Sequence, residues 1–188
     1  MGQLTNEEVG ASILACTLLD IRTTYKSKIP GLRTYRMENV LPIDPQNAVV
    51  RYCAAGIQLE QSGQPDEALR LFTLAWDKST DAFERTIAAH YMARHQKTPE
   101  DVLHWNREAL SNADSVGDDR VQEFYPSLYL NLGKAHEDLG NTDDARRFYT
   151  LAAGRLDCLP ESPYGAIVRR GVMDGLQRTG SLVNESEA

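Results

Sequence analysis

The sequence predicts an all-α protein built from stacked antiparallel helix pairs, with one further helix at each end. Three observations predict it. A pattern of small and aromatic residues is written three times along the chain. Apolar residues recur at helical spacing around every copy. No stretch alternates apolar and polar residues as a half-buried strand does.

The pattern begins as Tyr52-x2-Ala55-Gly56-x2-Leu59, followed by Ala68-x3-Phe72. It returns as Tyr129-x2-Leu132-Gly133-x2-His136, followed by Ala145-x3-Tyr149. Between them lies a weaker copy, Thr86-x2-Ala89-His90-x2-Ala93 and then Val102-x3-Asn106. The glycine-to-alanine step is 12 residues in both strong copies, and His90 to Val102 repeats it. Self-similarity on this scale indicates a helical repeat array, in which each unit buries its apolar face against its neighbours.

Residues 6–26 read as an N-terminal helix. Thr5 or Asn6 caps it, and Leu14, Leu18, Ile21 and Tyr25 share one face. Residues 27–44 follow as an irregular packed arm, because Pro30, Gly31 and Pro42 interrupt helix while Leu32, Tyr35, Val40 and Ile43 remain apolar. Asp44 and Pro45 suit the cap and first turn of the next helix. Residues 45–180 then form the repeat domain. Gly63 and Gly140 mark the turns inside the first and third pairs. The second pair is longer, with its extra residues in 111–125 and a break at Gly117. Pro126 is expected to kink the helix after that break. Residues 163–178 form a capping helix with Tyr164, Ile167, Val168, Val172 and Leu176 on its apolar side. Residues 181–188 are a short flexible acidic tail.

The strong copies resemble the tetratricopeptide repeat family. Residues 132–152, LGKAHEDLGNTDDARRFYTLA, and residues 63–75, GQPDEALRLFTLA, carry the resemblance, which spans roughly residues 49–159. It implies a right-handed superhelix of about three helix pairs, and a concave groove that binds peptides or partner proteins. Carried onto this chain, the groove positions include Ile57, Glu60, Glu84, Tyr91, Arg94, His95, Leu130, Lys134 and Glu137. Some members grip an acidic C-terminal peptide with Lys, Asn and Arg. Here those positions hold Cys53, Ile57, Ala88, Ser127 and Asn131, so a clamp of that kind is not expected. The middle copy departs from the pattern at His90, Val102 and Asn106. It also carries Tyr91, Arg94 and His95, which makes it the first place to look for a specific site.

Composition narrows the function classes. The 188 residues carry a net charge of −7, which disfavours wrapping nucleic acid or adsorbing to an anionic membrane. Cys16, Cys53 and Cys158 form neither a disulfide framework nor a metal knuckle. With no signal peptide and no long apolar run, the chain reads as a cytoplasmic protein. His90 and His95 point in different directions from one helix and do not make a metal site. Asp114, Asp118 and Asp119 lack the spacing of a calcium loop and read as helix caps. No catalytic, nucleotide or methyl-donor motif is present, so no cofactor is expected.

One local feature has the opposite charge. Arg22, Lys26, Lys28, Arg33 and Arg36 form a basic arm without a single acid between them. The arm suits the chain's own acidic repeats, an acidic partner, or RNA. The leading expectation is a non-catalytic, protein- or peptide-binding adaptor. The alternative is a self-associating structural protein, a homodimer whose N-terminal segment fills the groove or the interface. A third reading, an RNA-modification enzyme or its accessory subunit, has no residues to perform chemistry.

Overall fold

The computed structural model of the chain describes residue 44 and residues 46–180. The expected N-terminal helix, most of the arm and the acidic tail lie outside the described residues. Among the described residues the elements are seven α-helices and two 3₁₀ helices, with no strand.

Helix α1 spans Ala48–Gln61. Its cap is Asn47, not Asp44 as expected. The Asn47 Oδ1 accepts from the backbone N–H groups of Val49 (2.8 Å) and Val50 (3.2 Å), donors that have no partner inside the helix. Asp44 instead forms the preceding turn, accepting from Gln46 N on its side chain and from Asn47 N on its carbonyl. Helix α2 (Pro65–Lys78) starts on a proline, with Asp66 and Glu67 at its positive end.

Helices α3 (Ala82–Ala93) and α4 (Pro99–Val116) form the second pair, capped by Asp81 and Thr98. Gly117 ends α4 with φ +73°, and Asp119–Phe124 follows as a 3₁₀ helix. The extra length predicted for this pair is therefore present as a longer α4 plus the 3₁₀ turn.

Helices α5 (Tyr125–Asp138) and α6 (Thr142–Ala153) form the third pair. The expected kink at Pro126 is not found. Pro126 stands in the first turn of α5, where its missing N–H has no intrahelical acceptor to lose. After a short 3₁₀ helix (Leu156–Cys158), α7 (Pro163–Arg178) starts at the Ser162 cap. Its boundaries match the predicted capping helix.

Each helix packs on the next, and most closely within α1/α2, α3/α4 and α5/α6. Helix α1 also touches α3, and α5 touches α7. The first and third pairs turn in the same way. Gly63 (φ +74°) donates to the Glu60 carbonyl while Gln64 donates to Leu59. Gly140 (φ +75°) donates to Glu137 while Asn141 donates to His136. This crossed pair of bonds needs a left-handed residue, which glycine supplies without strain.

The core follows the repeated residues. Ala68, Phe72, Ala145 and Tyr149 are fully buried. Phe72 lies against Gly56 and Tyr149 against Gly133, where a Cβ would fall 2.3 Å and 2.6 Å from the ring. In the second pair Ala88, Ala89 and Ala109 let the helices approach. Phe83 stacks on Phe124 (5.8 Å), tying the start of α3 to the turn before α5. Trp76 and Trp105 meet edge to face at 5.0 Å between α2 and α4. Among the described residues, no helix is long and apolar enough to cross a membrane.

Candidate functional site

The ends of α1 and α3 bring four of the predicted positions together. Glu60 lies in the last turn of α1, and its Oε1 takes His95 Nε2 at 2.6 Å and Arg94 Nη2 at 3.2 Å. Helix α3 has just ended here, so Arg94 and His95 leave it side by side. Beneath them lies an aromatic floor. Tyr91 stacks on Phe72 with ring centres 5.1 Å apart, the His95 ring tilts over Phe72 at 5.4 Å, and the Arg94 guanidinium sits 5.9 Å from the Tyr91 ring.

Arg94 is only partly satisfied. Nη2 reaches Glu60, while Nη1 is enclosed with no acceptor among the described residues. A guanidinium presents its donors in a fixed fork, so one arm held by Glu60 orients the other. Tyr91 has a different role from the one its position suggested. It is 1 % exposed and forms the floor, not the rim.

A second carboxylate occupies the same place in the third pair. Glu137 accepts Arg178 Nε at 2.7 Å and Nη2 at 2.9 Å, and Tyr149 donates its hydroxyl to Oε2 at 2.5 Å. The Arg178 hydrogen bonds and the Tyr149 hydroxyl hold this carboxyl below the usual range, against the opposing effect of burial. Burial first, and the bond to Glu137 second, push the Tyr149 hydroxyl up, against the opposing effect of Arg178. Lys134 pairs with Asp138 one turn along α5. The bonds from Arg178 to Glu137 and Tyr149 fasten α7 to α5 and α6.

The other predicted positions serve the fold. Ile57 and Leu130 are buried, and Leu130 packs beneath Gly171 of α7. Glu84 is also buried and points to the helix starts. Burial alone would raise its pKa, but donors from Asn47 Nδ2 (2.5 Å), Thr80 N (2.6 Å) and Thr80 Oγ1 (3.0 Å) hold it low. The basic arm, Arg22, Lys26, Lys28, Arg33 and Arg36, lies outside the described residues.

Among the described residues no group of His, Cys, Asp or Glu is arranged to hold a metal ion. Asp118 caps the 3₁₀ helix by accepting from Arg120 N, as expected. Asp114 does not cap but accepts the Tyr125 hydroxyl at 2.9 Å. Sequence reasoning passed over two residues, Asn47 and Arg178, the partners of Glu84 and Glu137. Each lies far from its partner in sequence. The signal for Arg178 was its place in the last turn of the capping helix, where a cation also suits the helix dipole.

Comparison of the chain with family models, with curated proteins and with solved structures found no match.

Proposed function

We propose that this chain is a non-catalytic adaptor of the tetratricopeptide type. In this reading its helix pairs wind as a right-handed superhelix, and the first helices of the pairs bind a segment of a partner protein. The repeated glycine–aromatic contacts and the two matched turns support the repeat assignment. The observation that carries the binding reading is Arg94. It offers an oriented, enclosed Nη1 donor above an aromatic floor, at the copy that departs from the repeat. Nη1 itself is covered, so a partner's oxygen, with carboxylate the strongest choice, would meet it as the guanidinium turns outward on its 20 %-exposed side chain. A reducing, cytoplasmic location belongs to the same reading and agrees with the free thiols Cys53 and Cys158.

The test is selection of peptides from a displayed library on the immobilised full chain, followed by calorimetry with soluble peptide. Peptides sharing one acidic position, and an affinity that drops about tenfold or more in Arg94→Gln, are the expected result. Binding that ignores Arg94→Gln removes the proposed site. Arg94→Gln is a better probe than any change at Tyr91, because Tyr91 belongs to the core.

A further inference from the structure

The second helix pair keeps the register of its neighbours and inverts their contents. In the first and third pairs a glycine on the leading helix faces an aromatic ring on the following one, Gly56 to Phe72 and Gly133 to Tyr149. The same step along the sequence joins His90 on α3 to Asn106 on α4. Bulk has moved from the second helix to the first, and both members have become polar.

The polar atoms at these positions are also matched. Asn106 is 3 % exposed, and its amide nitrogen donates to the Val102 carbonyl at 3.0 Å. That bond spends one donor and leaves Oδ1 enclosed without a partner. His90 Nδ1 is enclosed without a partner as well. An amide oxygen only accepts, whereas a neutral imidazole donates from whichever nitrogen carries its proton. Leaving both atoms unpaired is strongly unfavourable, and two orphans at register-matched positions suit one shared water.

We propose that one buried water joins the two, accepting from His90 Nδ1 and donating to Asn106 Oδ1, and that this buried polar pair makes the second helix pair the acid-sensitive joint of the stack. The pair works with a neutral imidazole. Among the described residues, burial and Arg94 are what act on His90, and both disfavour an imidazolium. On α3 itself the charge acting on His90 is Arg94, of the same sign. From α1 comes Glu60, whose carboxylate is engaged by Arg94 and His95. Helix α2 meets α3 through Phe72, Thr73 and Trp76, none of them titratable. Burial first, and Arg94 second, push the imidazole down to about 4. In the unfolded chain an imidazole titrates near 6.5. As pH falls from that value toward 4, the unfolded chain gains a proton that the folded chain refuses, so stability falls through that window.

The experiment is denaturation of the full chain at about pH 7.5 and about pH 5, for the wild type, His90→Gly, Asn106→Phe and the double variant. His90→Gly opens a hole and strands Asn106, while Asn106→Phe drives a ring into the imidazole. Each single change should lower the unfolding midpoint. The double variant rebuilds the glycine–aromatic contact of the neighbouring pairs and should recover most of the loss, a coupling between sites. It should also lose less stability than the wild type between the two pH values. Additive losses in the double variant would overturn the pairing, and an undiminished pH effect would overturn the acid-sensitive joint. Nitrogen NMR of wild-type His90 gives a test that needs no variant. A proton on Nδ1 near neutral pH supports the pair, and a proton on Nε2 with bare Nδ1 refutes it.

Discussion

Arg178 grips Glu137 at two points, Nε on Oε1 and Nη2 on Oε2, and so fastens the end of α7 to the end of α5. Glu60 and Glu137 occupy equivalent places in the repeat, and each takes an arginine from the first helix of the next unit or its terminus. These two interfaces are therefore pinned by charge at one edge and by aromatic packing inside. Replacing Glu137 with Gln should cost about 1 kcal/mol, since Arg178 is half-exposed and screened. The sign with pH follows from the direction of the shift. A carboxyl held below its usual range stabilises the fold above that range, and the benefit disappears as pH falls through the folded-state value. Denaturation midpoints of wild type and Glu137→Gln should differ at neutral pH and converge in acid. High salt should also narrow the gap.

Glycines set how closely the helices approach. A methyl group on Gly133 would fall 2.6 Å from the Tyr149 ring, and one on Gly175 would strike the same ring from α7 at 2.6 Å. Tyr149 is fully buried between them and has no room to retreat. Gly133→Ala should therefore destabilise the chain by roughly 1–3 kcal/mol, despite alanine's better helix propensity. Tyr149→Ala removes the ring altogether and should cost roughly 3–5 kcal/mol. Gly154→Ala is the control, because nothing approaches its added carbon closer than 3.6 Å. A thermal melt that ranks Gly133→Ala with Gly154→Ala would refute the close-approach argument.

The repeat was legible in the sequence because packing residues return at fixed steps. Gly56, Ala68, Phe72 and their equivalents announced the pairs, and the boundaries of α7 followed from its apolar spacing. Local chemistry misled where two signals competed. Pro126 lies where a proline either bends a helix or begins one, and the sequence did not reveal that the preceding residues form a 3₁₀ turn. Asp44 and Asn47 both suit a cap, and the choice depends on which side chain reaches two free N–H groups. The positions expected to line a groove were only half legible. Periodicity assigns a residue to a face, but it does not say that a neighbouring helix covers that face, as α7 covers Leu130. Pairings such as Glu84 with Asn47 depend on the stack itself and leave no local trace.

The two described thiols differ sharply in access. Cys53 is fully buried on α1, and burial pushes its thiol up, so almost no thiolate exists at neutral pH. Cys158 lies in the 3₁₀ turn before α7 and is partly exposed. Alkylation of the native chain, followed residue by residue with mass spectrometry, should label Cys158 and spare Cys53. Labelling of Cys53 should follow the denaturation curve, because it requires α1 to leave the stack. Equal labelling of both in buffer would mean that the first helix pair opens on its own.

Asn47 offers the sharpest test of how the stack begins, because one side chain does two jobs. Its Oδ1 caps α1, while its Nδ2 donates to the buried Glu84 at the start of α3. Asn47→Ala loses both and should cost about 2–3 kcal/mol, a cap plus a hydrogen bond to a charged group. Asn47→Asp separates the two jobs. Aspartate remains a good cap, but its carboxylate now faces that of Glu84 in place of an amide donor. Two like charges in one site raise the pKa of the pair, so this variant should be weakest at neutral pH. As pH falls and the pair takes up a shared proton, the repulsion turns into a hydrogen bond and the deficit against wild type should shrink. Asn47→Ala has no such group, and its deficit should not recover in acid in this way. Measured by chemical denaturation at several pH values, parallel curves for the two variants would mean that Asn47 acts as a cap alone and that Glu84 does not depend on it.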